Sequence, residues 1–426
     1  MCGRRFRLSA AWLRWRAWSL PCAAERLHRW SRPENRSSQS GTLWLERQRD
    51  ARKAGNMPLN LRPRRTLACL AAFAVSACVG TVVPASVPPQ TRSPTVSPRP
   101  VPAPAPAQRE DRKPLTLPAS LDPGFARPPP ELNESINALW KAFPGKTGIA
   151  VARIDGDWQL AWRENDLFPQ QSVSKLWVAL AVLDAVDRGD VKLDDQVRIG
   201  REDLTLFSQP IAARVLAEGS INPTVAELLE QAVNRSDNTA NDSLQRRIGG
   251  PQKVRDFIAR KKLGLIRFGP GERLLQAQIA GLTWDQSMSL NRGFEAARSK
   301  LPREVRQAAM DRYLADPIDG MSPGAAARAL TRLARGELLS AESTKYALDL
   351  LERTRTGPNR LRAGLPADWR WGHKTGTGQN LPPITAGYND IGIATAPDGT
   401  RYAIVVMLAD TTASVPARMQ LMQAVA

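Results

Sequence analysis

The sequence predicts a mixed α/β fold of the α+β kind: one antiparallel sheet drawn from both ends of a domain, flanking helices, and an inserted all-helical subdomain. Three observations predict it. Apolar runs of strand length occur at residues 148–154 and 158–162, and the next come only at 369–374, 386–394 and 402–408. Between these two groups the apolar residues recur at helical spacing. A further helical pattern stands outside each outer strand, at 131–143 and 414–425.

Residues 1–56 are rich in Arg and Trp and hold no sustained helix or strand period. They read as upstream sequence joined by a wrong start codon rather than as a basic membrane-surface segment. Residues 57–78 start at Met57, carry Arg62, Arg64 and Arg65, and run through an apolar stretch at 67–77 to Cys78. A positive segment, a short apolar core and small residues before a cleavage point make a secretory signal. The core is too short to span a bilayer as a permanent helix. Val75-Ser76-Ala77-Cys78 resembles a bacterial lipobox. That resemblance implies lipidation at Cys78 and a periplasmic lipoprotein held to the membrane by its lipid alone. Residues 79–130 follow with a dense proline cluster. Proline fixes φ and removes backbone donors, so this stretch is expected to be an extended spacer.

The folded domain is expected over 131–426. Helix 131–143 places Ile136, Leu139 and Trp140 on one face. The strand at 148–154 turns at Gly156-Asp157 into its hairpin partner at 158–162. A long apolar helix is expected from Ser172 to about Arg188. Helix 225–233 starts behind Thr224 and Glu227, spaced as a capping box, and a polar turn follows at 234–238. Helical patterns continue over 242–258, 323–335 and 341–353 before the closing strands.

Composition removes several chemistries. The four cysteines, Cys2, Cys22, Cys69 and Cys78, all precede the folded part, which therefore has neither a disulfide nor a thiolate nucleophile. The only histidines are His28 and His373, too few for an ordinary hydrolytic zinc site, so no metal or other cofactor is expected. His373 reads as a strand residue rather than a catalytic base. Of the net charge of +19, +12 precedes Cys78 (16 Lys/Arg against 4 Asp/Glu), and the remaining +7 is spread over the rest. Without a basic block past Cys78 no nucleic-acid partner is expected.

What chemistry remains centres on Ser172 and Lys175. A serine hydroxyl is a weak nucleophile until a base takes its proton. At i and i+3 on one helix the two side chains share a face, and a helix N-terminus favours developing negative charge. Ser-x-x-Lys alone is expected by chance about once in such a chain, so it decides nothing by itself. Ser236-Asp237-Asn238, in a polar turn after a helix, and Lys374-Thr375-Gly376, on a strand, are each expected about once in twenty such chains. The three together, in order and on suitable elements, are not a chance set.

This order resembles the penicillin-recognising serine enzymes, most of all the class A β-lactamases. The resemblance covers about 131–426 and includes Ser236-Asp237-Asn238-Thr239-Ala240-Asn241, Gly249-Gly250-Pro251 and Lys374-Thr375-Gly376-Thr377-Gly378. It implies a β-lactamase/transpeptidase-like fold and a role for each matching residue. Ser172 is acylated, and its N–H with that of Thr377 forms the oxyanion hole that Gly376 makes accessible. Lys175 accepts or relays the proton, and Ser236 passes one to the leaving nitrogen. Asn238 holds the substrate's side-chain amide and Lys175. Lys374 and Thr375 bind the substrate carboxylate with Arg360, or with Arg362 as fallback. Phe207 is the aromatic residue across from the serine. Deacylation requires a glutamate on the Ω-loop; gapless counting from Gly249-Gly250-Pro251 reaches Glu272, with Gln276 in place of the family's asparagine. Residues 277–320 have no counterpart in a compact member. The expected substrate is a small β-lactam or an acyl-D-alanine peptide, and the expected state is a monomer. A D-alanyl-D-alanine peptidase or esterase, and a non-catalytic penicillin- or peptidoglycan-binding lipoprotein, remain the alternatives.

Overall fold

The computed structural model describes residues 127–426. Cys78, the signal segment and nearly all of the Pro-rich spacer lie outside the described residues. Five strands form one antiparallel sheet: β1 Lys146–Arg153, β2 Gln159–Trp162, β3 Arg370–Thr377, β4 Tyr388–Thr395 and β5 Arg401–Ala409. Their order is β2-β1-β5-β4-β3, so the first and last strands of the domain meet at its centre. Ile149 lies opposite Val406 and Val151 opposite Ile404.

The sheet is buried on both faces, and its two-residue period sorts the side chains. Ile149, Val151, Ile404, Val406 and Leu408 face an outer core. That core is closed by helix α1, Pro130–Ala142, through Ile136 and by the C-terminal helix Val415–Val425 through Leu421 and Met422. Ala150, Ala152, Ala403, Val405 and Met407 face the opposite way, into the core shared with the helical region. The small residues on that side let helix Pro323–Ala334, whose inner face is itself alanine-rich, pack closely on β1 and β5.

Helix α2, Lys175–Asp187, runs through the middle of the helical region, and every residue from Lys175 to Ala185 is buried. A helix apolar on all sides requires neighbours on all sides. Among those neighbours are α3, Val225–Asn234, and α4, Asn238–Arg247, with helices Pro251–Arg260 and Ala341–Glu352. The Thr224 box forms as expected: Glu227 N–H donates to Thr224 Oγ1 at 3.2 Å, and Thr224 N–H donates to Glu227 Oε2 at 3.0 Å. Such a cap contributes about 1 kcal/mol.

Two local expectations are corrected. Ser172 does not lie within the α-helix; residues Gln171–Ser174 make a 3-10 turn that leads into α2. The cause is Gln171, held at φ +54° with its N–H donated to Asp319 Oδ2 at 2.9 Å, which prevents regular helix from starting earlier. The helical pattern over 242–258 is broken between α4 and Pro251–Arg260. Gly249 and Gly250 adopt φ values of +100° and +92°, and proline then starts the next helix.

After the turn at Gly271 comes helix α5, Glu272–Ile279. The segment at 277–320 is itself helical, with a 3-10 turn at Gln286–Ser289, a short helix Gly293–Ser299 and helix α6, Arg303–Ala315. It is anchored by Met310 and Tyr313, which pack with Leu275, Ile279, Leu381 and Ala386.

Candidate active site

A cleft of about 490 Å³ opens between the helical region and β3, which is an edge strand of the sheet. Ser172 lines it from the 3-10 turn, Glu272 and Gln276 from α5, and Ser236 and Asn238 from the turn before α4 and its first residue. Thr375 and Thr377 line it from β3, Arg360 from the loop before that strand, and Phe207 from the rim. Lys175 and Lys374 lie fully buried beneath. The structure therefore brings together Ser172, Lys175, Ser236, Glu272, Asn238, Lys374, Thr375, Gly376, Thr377, Arg360 and Phe207.

Lys175 Nζ donates to Ser172 Oγ at 2.9 Å and forms a short ion pair with Glu272 Oε1. Neither charge of that pair is solvated, so each depends on the other; removing one partner of such a pair costs about 3–5 kcal/mol. Glu272 Oε2 accepts from Gln276 Nε2 at 3.3 Å, and the same amide nitrogen donates to Gln171 Oε1 at 3.1 Å. Gln379 Nε2 donates to Gln276 Oε1 at 2.9 Å and to its carbonyl at 2.8 Å. The glutamine that replaces the family's asparagine is thus held at both ends of its amide. Glu272 sits at the first position of α5, where the helix dipole favours its carboxylate.

Ser236 stands at φ +57°, a region that non-glycine residues enter at a cost. The carboxylate of Asp237 holds the turn, accepting from Ala240 N–H at 2.9 Å and Ile211 N–H at 2.7 Å. Asp237 thus orders its turn through backbone hydrogen bonds, and burial raises its pKa. Lys374 Nζ donates to Ser236 Oγ at 3.1 Å and to the Thr375 carbonyl at 3.0 Å. Burial first, then the nearby charges of Lys175 and Arg360, push the Lys374 ammonium well below the ordinary lysine range.

Gly376 has no room for a side chain. A Cβ there would lie 2.3 Å from the Gln170 carbonyl oxygen, so glycine sets the distance between β3 and the Ser172 turn. Asn389 ties the same carbonyl, donating through Nδ2 to Gln170 O at 3.0 Å and to Pro169 O at 2.7 Å.

Arg360 is buried and mostly engaged. It donates to the carbonyls of Gly376 at 3.0 Å and Asn389 at 2.6 Å and to Thr377 Oγ1 at 2.6 Å, with its guanidinium 3.8 Å over the Tyr388 ring. Arg362 is not at the cleft; it donates to carbonyls of its own loop at Leu365, Pro366 and Ala367. The fallback arginine is therefore withdrawn. Asn238 departs from the implied pattern as well. Its Nδ2 donates to the Leu206 carbonyl at 2.9 Å, and its Oδ1 is buried without a partner rather than bonded to Lys175, whose ammonium is taken by Ser172 and Glu272. That leaves a buried acceptor unsatisfied on a residue that lines the cleft. Phe207, 47% exposed, packs edge-on against Phe294 of the inserted segment, with ring centroids 5.0 Å apart. His373 is buried on β3 with Nδ1 2.7 Å from Asp390 Oδ1.

Sequence reasoning missed the support around Ser172. Gln170 Nε2 donates to the carbonyls of Arg267 and Asp319, and its Oε1 accepts from the Trp177 indole at 2.5 Å. Gln171 Nε2 donates to Tyr313 Oη, which donates to Asp319 Oδ1 at 2.8 Å. The available signal was the pair of glutamines directly before the serine, ahead of an apolar helix that gives them no solvent. Tyr313 and Asp319 carried no signal, because Gln171, the residue they hold, lies 142 and 148 positions away in the chain.

A buried lysine on a serine hydroxyl, paired to a carboxylate, is the equipment of an active-site-serine hydrolase. The description "Beta-lactamase enzyme family" matches residues 131–426. A β-lactamase of Bacteroides uniformis is 27% identical over 283 residues, which cover 66% of this chain and 84% of that protein. The crystal structure of a β-lactamase from Chitinophaga pinensis is similar with a TM-score of 0.57 at 29% identity, over 69% of this chain and 96% of that one. An ancestral class A β-lactamase is similar with a TM-score of 0.54 at 30% identity, over 69% and 96%. The chain belongs to the class A β-lactamase family of serine hydrolases.

Proposed function

We propose that the protein hydrolyses β-lactams through an acyl-enzyme on Ser172. The observation that carries this reading is Lys175 Nζ held on both Ser172 Oγ and Glu272, with Gln276 on the other oxygen of that carboxylate. Ser172 Oγ attacks the lactam carbonyl carbon, and its proton passes to the Lys175–Glu272 pair. The developing oxyanion is met by the N–H groups of Ser172 and Thr377. The C–N bond then breaks, and the nitrogen takes its proton from Ser236 Oγ. That proton is made good, by relay through Lys374, with the one Ser172 gave up, so the Lys175–Glu272 pair and Lys374 both return to their starting charge. The substrate carboxylate lies on Lys374, Thr375 and the Arg360-supported Thr377 hydroxyl, and the substrate's side-chain amide on Asn238. In deacylation Glu272 takes a proton from a water positioned by the Gln276 amide, and that water attacks the ester carbonyl. The ester C–O bond breaks and the proton returns to Ser172.

The β-lactamases among the relatives support this reading over a peptidase, and the retained Ser236 and Lys374 argue against a pure binding protein. Ser172→Ala is the direct test. Benzylpenicillin should be turned over by the wild type, whereas the variant should show neither hydrolysis nor a covalent adduct by intact mass. A wild-type adduct that persists for hours would contradict hydrolysis and favour the peptidase or binding alternative.

The lipobox supports a periplasmic lipoprotein anchored at Cys78. Cys78→Ser should move the protein to the soluble fraction; continued membrane retention would refute the anchor.

A further inference from the structure

The inserted segment brings a cation to the cleft that none of the motifs supplies. Arg298, on the short helix Gly293–Ser299, lines the cleft and donates through Nη2 to the Asn380 carbonyl at 2.6 Å. It has no carboxylate partner among the described residues. Among charged neighbours the like-charged Arg306 acts on it most strongly and Glu295, which forms no ion pair with it, more weakly, and its Nε is buried without a hydrogen-bond partner. A guanidinium partly stripped of water, influenced by another cation and without an ion-paired carboxylate, gains from an incoming anion. Among the described residues one carboxylate lines the cleft, Glu272, and it is committed to Lys175.

The position says which part of a substrate would meet it. Lys374 and Thr375 stand at one end of the cleft. The chain then runs through Thr377, whose N–H the proposed reaction sets on the oxyanion, to Asn380, three residues and therefore at most about 10 Å further on. Thr375, Thr377, Gly378, Gln379 and Asn380 all line the cleft, and Arg298 meets it at Asn380, the member of this run furthest along the chain from Lys374.

We propose that Arg298 is a specificity-determining residue for substrates with a second carboxylate on the acyl side chain. This inference rests on the β-lactam reading. One carboxylate lies on Lys374 and Thr375, the other on Arg298, and the scissile amide lies between them.

The test compares benzylpenicillin with α-carboxybenzylpenicillin, which differ by that one carboxylate. The readout is the second-order rate of Ser172 acylation, followed by intact mass and quenched flow, so it does not depend on deacylation. In Arg298→Ala the ratio of carboxylated to uncharged substrate should fall about tenfold or more, as expected for losing a charged hydrogen bond. Arg298→Lys should recover part of the ratio, and Arg306→Ala should leave it within about twofold. An unchanged ratio in Arg298→Ala, or an equal fall in Arg306→Ala, would overturn the inference. If neither penicillin acylates the wild type, the β-lactam reading fails and this inference with it. If both acylate and the ratio is insensitive to Arg298, only this inference fails.

Discussion

Gly376→Ala tests how the nucleophile and its oxyanion hole are kept in register. The added Cβ would lie 2.3 Å from the Gln170 carbonyl oxygen and 3.2 Å from both Asn389 Nδ2 and Val173 Cγ2. Ordinary contact begins near 3.4 Å, so β3 and the Ser172 turn must separate by about 1 Å. The Gln170 carbonyl is backbone and already accepts from Asn389, so it cannot swing aside. Overpacking of this kind costs about 1–3 kcal/mol, or roughly 2–10 °C in Tm. The functional loss should be larger, because a 1 Å misplacement of reacting groups costs about 100-fold. The assay is stopped-flow acylation by a chromogenic cephalosporin, alongside calorimetry of the same samples. Acylation within threefold of wild type would refute the reasoning, and a lowered Tm with unchanged acylation would show that this spacing does not set the oxyanion geometry.

Asp319 makes stability depend on pH, since burial raises its pKa from 3.8 to about 6. The native state then binds more protons between those values, so the contribution is fully present below about pH 4 and is lost as pH rises through 6. The loss is about 3 kcal/mol at most; Asp319→Asn should flatten urea-melt stability between pH 4 and 7, and an unchanged slope would refute the assignment. For Lys374, whose pKa is lowered mainly by burial, the charged form must be present to hold a substrate carboxylate. The value of kcat/KM for benzylpenicillin should therefore decline on the alkaline side with a midpoint below the ordinary lysine value of 10.5; a flat profile up to that pH would contradict it. Trp177→Phe keeps most of the buried ring but leaves Gln170 Oε1 without its donor, so unfolding free energy should fall by about 1–3 kcal/mol, and no change would show that this indole bond is dispensable.

The sheet and the motif residues were legible because each carries a local signature. The strands are short apolar runs, the Thr224 box is a spacing, and Lys374-Thr375-Gly376 is a tripeptide. Glu272 was reached by counting because no insertion separates it from Gly249-Gly250-Pro251. What was not legible depends on contacts between distant segments. The 3-10 turn at Ser172 comes from a carboxylate at Asp319, 148 positions away. Phe294 behind Phe207 and Arg298 at the cleft belong to a segment whose own helical pattern gives no sign of which surface it will cover. Arg362 stood as the fallback to Arg360 in sequence; only the fold shows that it turns back on its own loop.

The central claim is that Glu272 removes the acyl group from Ser172. Intact mass after mixing with benzylpenicillin, over seconds to hours, tests it in wild type and Glu272→Gln. Wild type should return to the free mass as substrate is consumed, and the variant should accumulate a one-to-one adduct on Ser172 that persists. Equal turnover by both proteins would contradict the role assigned to Glu272.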